Sequence, residues 1–437
     1  MCAPRLILLS FLAVCSLTAS AYSWEEDLHH RLLVDFNKSR DEVKAYIQRF
    51  IPDVTDKQMD IWEASHALES MVIDGKKRYF HNAAPNLFRI DKDCIRIKTE
   101  KEGLSQEGYE EKDKDNVPFI IQNADKVSHL AEPKRIKVTY TLTVKPNAVP
   151  AGELIRCWLP FPRTDIARQT NVKLLSTSEI LYQRSPQNHA HSTLYMEKRA
   201  KADEPTIFSE TFEYTTYGYW AGLSPDQIKP YNTHSKLYKQ YTSERDKHMI
   251  FTPMLRHLAD SLTRGESNPL LKARRIFAYI DTNYPWASAR EYSTIENIPE
   301  YVVLNKHGDC GQVTLLFATL CRICGIPSHF QSGFMLHPDN ENLHDWCEIY
   351  FEGIGWVPVD ISFGIPSYAQ NEREKWFFLG GLDSWRMVVN LDFGMSLYPT
   401  KTYPRSETVD FQRGEVEWRG GNLYFDKWSW NLERQDL

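Results

Sequence analysis

A cysteine, a histidine and an aspartate stand in this chain in an order that suits nucleophilic catalysis. Cys310 lies in HGDCGQ and opens an apolar run, VTLLFATLCRICGIP. His344 opens HDWCEIYFEGIGWVPVD, and Asp360 closes it. A thiol attacks carbonyl carbon as the thiolate, so it needs a proton acceptor, and the acceptor needs an orienting group. His344 can be the first and Asp360 the second. Taken singly, each has a structural reading: a core cysteine, a surface or capping histidine, an aspartate in a turn. The set in this order favours chemistry.

The elements that must position these residues are specified locally. Asp309 is an N-cap and Gln312, three residues later, completes a capping box, so a helix starts at Cys310. Val313, Leu316, Phe317, Leu320 and Cys324 share one face, and Leu315 and Ala318 make the other side apolar, so the helix is buried. Gly325 is a C′ residue and Pro327 prevents continuation. In the first turn the helix dipole favours a thiolate, and the Cys310 N–H is free to help hold an oxyanion. His344, Trp346, Glu348 and Tyr350 share one face of a strand, with Cys347 on the other. Glu352 to Gly355 reads as a turn, and Trp356 to Asp360 returns as the neighbouring strand.

The rest of the 437 residues allows two or three domains. The opening MCAPRLILLSFLAVCSLTASA has the charged start, short apolar core and small-residue end of a secretory signal peptide, residues 1–21. Lipidation at Cys15 is disfavoured by the bulk of Val14. Residues 22–130 read as helical, with one helix in DEVKAYIQRFI, another from Thr55 to just before Asp74-Gly75, and an exposed charged linker from Lys98 to Asp115. Residues 131–222 read as a β-sandwich module, because RIKVTYTLTV alternates apolar and polar throughout. Residues 223–437 combine helices with consecutive strands, an α+β pattern. The aromatic tail from Lys401 reads as a hairpin or wrapped extension.

Several functions are disfavoured. A net charge of -6 without a basic stripe argues against nucleic-acid binding. No later segment has the length and apolarity of a membrane span. Cys321 and Cys324 form a C-x-x-C late in the apolar helix and read as core residues rather than a redox or zinc pair. His307, His329, His337 and His344 lack ligand spacing on one element. The oxygen-rich stretch His337 to Glu341 reads as a solvated turn, with calcium use left open. No cofactor or metal is expected.

GDCGQVTLLFATLCRICGIPS followed by HDWCEIYFEGIGWVPVD resembles the transglutaminase-like superfamily, whose papain-like core carries a Cys at a helix start, a His-x-Trp-x-Glu strand and a Gly-Trp-x-Pro-x-Asp strand. A β-rich module before the core is similar to the arrangement in many bacterial members. The resemblance implies Cys310 as nucleophile, His344 as general base and acid, and Asp360 as orienter. Trp286, in NYPWAS, is a candidate oxyanion donor, with a core aromatic as the alternative. The expected fold class is α+β: a papain-like, transglutaminase-like catalytic core preceded by a β-sandwich module and an N-terminal helical region. The expected function is an exported, periplasmic or extracellular thiol enzyme acting on amide bonds of protein or peptide substrates through an acyl-enzyme. Acyl transfer to an amine and hydrolysis by an amidase or peptidase stay open. The alternative is a non-catalytic exported binding or assembly protein on the same fold.

Overall fold

The computed structural model describes residues 22–103 and 108–437. The signal-peptide reading of residues 1–21, Cys15 included, lies outside the described residues. Six helices and a hairpin open the described chain: α1 (Trp24–Asp35), α2 (Arg40–Gln48), α3 (Asp56–Ala64), β1 (Ser70–Ile73), β2 (Lys76–Tyr79), α4 (Ala83–Ile90), α5 (Lys92–Glu102) and α6 (Gly108–Asn123). Capping boxes Ser39/Glu42 and Thr55/Gln58 start α2 and α3. The helix expected to run from Thr55 to just before Asp74-Gly75 stops at Ala64, and residues 70–79 form a hairpin instead. Asp74 and Gly75 turn it with positive φ of 52° and 72°. The stretch expected as an exposed linker is helical up to Glu102 and again from Gly108. Asp91 caps α5 by accepting from the N–H groups of Asp93 and Cys94. On α6, Asp113, Asn116, Val117 and Ile120 are buried at helical spacing, and two of the four are polar. An apolar pattern therefore does not reveal that face.

A β-sandwich follows, built from β3 (Leu130–Val144), β4 (Leu154–Pro160), β5 (Gln169–Thr177), β6 (Tyr182–Arg184), β7 (Thr193–Arg199) and β8 (Thr206–Trp220). Ile136, Val138, Tyr140, Leu142 and Val144 of β3 are all buried. Each such side chain stabilises by about 1.5–3 kcal/mol through burial. β3 pairs antiparallel with β8, Val138 opposite Phe212. β4 pairs with β7, Trp158 opposite Tyr195.

Next come α7 (Lys236–Tyr241), α8 (Pro253–Thr263), α9 (Pro269–Asn283), α10 (Ile298–Asn305), α11 (Cys310–Ile323), β9 (Ser328–His337), β10 (Asn340–Phe351), β11 (Gly355–Val359), α12 (Glu372–Lys375), β12 (Gly381–Leu382) and β13 (Arg386–Asn390). Among the described residues one sheet runs β11-β10-β9-β13, antiparallel throughout. β9 and β13 approach so closely at Gly333 that a Cβ there would lie 1.9 Å from the Met387 carbonyl oxygen. α11 packs on β9 and β10 over a core that includes Leu316, Phe317, Leu320, Cys347 and Ile349.

The tail supplies β14 (Glu415–Trp418), β15 (Gly421–Asn422) and β16 (Trp428–Asp436). These return to the sandwich. β16 pairs with β3 along its length, and β14 pairs with β4. Trp430 stacks on Tyr140 at 5.9 Å. Strand β12 also joins, beside β8. The sandwich thus draws strands from both sides of the helix-bearing core.

Candidate active site

Cys310 takes the first position of α11, as the capping box requires. The Gln312 N–H donates to Asp309 Oδ1 at 3.0 Å, and the Asp309 N–H donates to Gln312 Oε1 at 3.2 Å. Tyr292 Oη also donates to Asp309 Oδ1, at 2.5 Å. Gly311 is required here, since a Cβ would lie 2.3 Å from Tyr292 Oη and 2.6 Å from Asp345 Oδ2. His344 lies on β10 and Asp360 just beyond β11; the pairing of Cys347 with Val359 fixes their register. His344 Nε2 and Asp360 Oδ2 are 2.7 Å apart. Asp360 Oδ1 accepts from the N–H groups of Ser362 and Phe363, each at 3.1 Å.

A cavity of about 600 Å³ opens over this arrangement. Trp286, Cys310, His344, Asp345, Asp410 and Arg413 are among its lining residues. Trp286 is 47% exposed at the cavity, so it is not a core aromatic. Its backbone pairs with Gly308, two residues before Cys310, and the Arg89 guanidinium lies 5.0 Å from its ring.

The thiol's hydrogen-bond partner is Asp345, not His344: Cys310 Sγ donates to Asp345 Oδ2 at 3.5 Å. The other oxygen, Oδ1, accepts from Gln412 Nε2 at 3.0 Å. The same amide donates to the carbonyls of His344 and Gly333, tying the tail to the histidine strand. Sequence reasoning missed both residues. For Asp345 a signal existed, because the alternation that turns Cys347 toward the helix side of the strand turns Asp345 there too. For Gln412 there was none.

Charge at the site departs from the sequence expectation. Burial, then the Asp345 and Asp309 carboxyls, push the Cys310 thiol well above its ordinary value. The helix N-terminus does not win against two acidic neighbours. Burial also lowers His344, in spite of Asp360. Cysteine and imidazole are therefore both neutral at rest. Burial opposes ionisation of Asp360, but His344 and Arg386 overcome it and hold the carboxyl at about 2. With Asp360 ionised, Nε2 carries the imidazole proton and Nδ1 is left as the acceptor.

Behind Asp360 runs a buried ionic chain absent from the sequence reading. Arg386 Nη1 lies 2.7 Å from Asp360 Oδ2, and Arg386 Nε donates to Asp383 Oδ2 at 2.6 Å. His337 Nε2 lies 3.2 Å from Asp113 Oδ1 and 3.6 Å from Asp383 Oδ1. Asp113, His337 and Asp383 are the one group among the described residues whose donor atoms could hold a metal ion. Arg386 already supplies positive charge there. The other histidines stand apart. His329 pairs with Glu348 at 2.9 Å, and His307 meets the edge of Tyr301. The stretch His337 to Glu341 is the tight turn between β9 and β10. Cys321 and Cys324 carry free thiols, the former fully buried. Among the described residues no helix is long and apolar enough to cross a membrane.

Residues 256–361 match the model of the transglutaminase-like superfamily. The uncharacterized protein YebA of Bacillus subtilis (strain 168) is 25% identical over 134 residues, which cover 26% of this chain and 18% of that relative. A solved structure described as a candidate cysteine protease, from Cytophaga hutchinsonii, aligns at a TM-score of 0.46 and 14% identity, covering 70% of this chain and 92% of that one. The periplasmic domain of TgpA from Pseudomonas aeruginosa aligns at 0.28 and 13% identity, covering 62% and 96%.

Proposed function

From the transglutaminase-like core that residues 256–361 form, we propose that this protein is an exported thiol enzyme that acts on amide bonds of proteins or peptides through an acyl-enzyme on Cys310. The observation that carries the reading is the buried 2.7 Å pair of His344 Nε2 and Asp360 Oδ2, whose imidazole lines the same cavity as Cys310. Export rests on the signal-peptide pattern of residues 1–21.

In this mechanism the proton moves as the bond forms, because thiol and imidazole are neutral at rest. Substrate entry draws the thiol from Asp345 to His344. Nδ1 takes the thiol proton while Sγ attacks the amide carbonyl. The oxyanion is held by the Cys310 N–H, with the Trp286 indole as a second donor. His344 then gives the proton to the leaving amine, and a thioester remains. An incoming amine or water resolves it, giving acyl transfer or hydrolysis.

The test is mass spectrometry of a peptide library incubated with the parent and with Cys310→Ala. Deamidation, cleavage or amine incorporation that disappears in the variant supports the proposal. Mass changes equal in both proteins would eliminate Cys310 as the nucleophile. No change in either would leave the fold as a binding module.

A further inference from the structure

Trp286 and Ser288 stand on the wall of the Cys310 cavity, and one side chain from outside the cavity lining touches both. Arg89, in the last turn of α4, holds its guanidinium 5.0 Å from the centre of the Trp286 ring. Its Nη1 donates to Asn86 Oδ1 at 3.3 Å and to Ser288 Oγ at 3.5 Å. Arg89 is exposed, and among the described residues its Nε and Nη2 donate to no acceptor and no carboxylate pairs with it. The guanidinium is thus fixed by one face and one nitrogen. Its Nε and Nη2, side by side, form the fork that takes a carboxylate through two parallel N–H···O bonds.

The other charged groups at the cavity have partners or are held neutral. Arg413 reaches Glu291 through Nη1 and Nη2 at 2.9 and 3.2 Å, and Glu407 through Nε at 2.6 Å. Arg290 lies 3.4 Å from Glu69. Asp309 accepts from Tyr292 Oη and the Gln312 N–H. Burial and then Asp410 push the Asp345 carboxyl well up, and burial and then Glu407 do the same to Asp410. Little negative charge is left to repel an anion, and Arg89 stands at the rim with no counter-ion among the described residues.

We propose that Arg89 is a specificity-determining residue: seated on Trp286 at the rim of the cavity, it binds a carboxylate of the peptide whose amide is presented to Cys310. The inference rests on the acyl-enzyme reading for its place in the reaction, but not for binding itself. Arg89 lies outside residues 256–361, which match the superfamily model, so the preference is a contribution of the N-terminal helices. The carboxylate can come from an acidic side chain or from the C-terminus of the peptide, since both offer the same two oxygens. Trp286 keeps water from one face of the guanidinium, which strengthens a charged hydrogen bond at an otherwise exposed site.

The experiment uses affinity labels on the full chain, in the parent, Arg89→Met and Arg89→Lys. Arg89 is exposed near a helix end, so neither substitution opens the core. The side-chain labels are iodoacetyl-Glu-amide, iodoacetyl-Ala-Glu-amide and iodoacetyl-Ala-Ala-Glu-amide, each against its Gln counterpart. The C-terminal labels are iodoacetyl-Ala-Ala and iodoacetyl-Ala-Ala-Ala as free acids, each against its amide. Mass spectrometry follows the rate of Cys310 alkylation at low salt. In the parent at least one acidic label should outrun its neutral counterpart roughly fivefold. Arg89→Met should bring that ratio to about one, and Arg89→Lys, which keeps the charge but not the fork, should fall between. A gain for a Glu label assigns the carboxylate to a side chain, and a gain for a free acid assigns it to the C-terminus. Ratios near one for every pair in the parent, or unchanged in Arg89→Met, overturn the proposal. So does an Arg89→Met variant that slows acidic and neutral labels equally, because Arg89 would then act only by orienting Trp286. Alkylation needs no turnover, so a preference for acidic labels in a protein that processes no peptide would defeat the acyl-enzyme reading alone.

Discussion

At the scale of single residues, a thiol resting on a carboxyl behaves differently from one resting on an imidazole. Asp345 is the first charged group after burial to hold the Cys310 proton on. Asp345→Asn should therefore move the pH profile of Cys310 alkylation to lower pH, measured with iodoacetamide; an unchanged profile would mean that Asp345 does not govern the thiol. Asp360→Asn keeps the shape but loses the charge that sets the His344 tautomer. It should lower turnover by on the order of 10²- to 10⁴-fold. It should also lower the melting temperature, because Arg386 loses a buried partner at 2.7 Å. Activity within a fewfold of the parent would remove Asp360 from the proposed machinery. The positions of Cys310, His344 and Asp360 were legible because their signals are local: a capping box, an alternating strand and a turn. Asp410 and Gln412 reach the cavity only because the tail folds back, and no local pattern encodes that.

At the scale of elements, β13 does more than extend the core sheet. It carries Arg386, fully buried, between Asp360 and Asp383, with its guanidinium 4.2 Å from the Phe363 ring. Beyond Asp383 the chain of charges passes through His337 to Asp113 on α6, so a helix before the sandwich touches the support of His344. Asp360 is held at about 2, below its ordinary 3.8. Its contribution to stability is therefore complete above about pH 4 and is lost as pH falls toward 2. Arg386→Gln removes one of the groups that depress it, leaving His344 and the Phe363 N–H. Acid unfolding should then begin at higher pH, and the acidic limb of any pH–rate profile should shift upward with it. Breaking the buried pairs should cost about 3–5 kcal/mol. Acid unfolding at the parent's pH, followed by circular dichroism, would refute the role given to Arg386. The alternation in β3 and the apolar faces of α11 announced themselves in the sequence. Helix α6 did not, because half of its buried face is polar and finds its partners on β9 and in the segment after β12.

At the scale of the whole molecule, the N-terminal helices brace the loop that forms one wall of the cavity. Asn86 Nδ2 donates to the Ser288 carbonyl at 2.8 Å, and the Ser288 N–H returns a bond to Asn86 Oδ1 at 3.0 Å. Asp35, at the end of α1, accepts from the Glu291 N–H at 2.8 Å. Trp286, Ser288, Arg290 and Glu291 are thus positioned by residues more than 190 positions earlier, which is why the role of residues 22–130 could not be read from their own composition. Burial, and then the Glu291 carboxyl, raise Asp35 to about 7 from 3.8. An acid whose value is raised in the folded state favours the fold while it is protonated. Stability from this group is complete below about pH 4 and falls as pH rises through 7. Asp35→Asn keeps an oxygen acceptor for the Glu291 N–H and removes the titration. Its melting temperature should exceed the parent's by a margin that widens from pH 4 to pH 7 and then levels off. The full margin corresponds to on the order of 4 kcal/mol. Thermal melts of both proteins at pH 4, 5.5, 7 and 8.5 measure it. A gap that does not change with pH would mean that Asp35 is ionised throughout, and that the N-terminal helices meet the cavity loop through a charge and not through a neutral carboxyl.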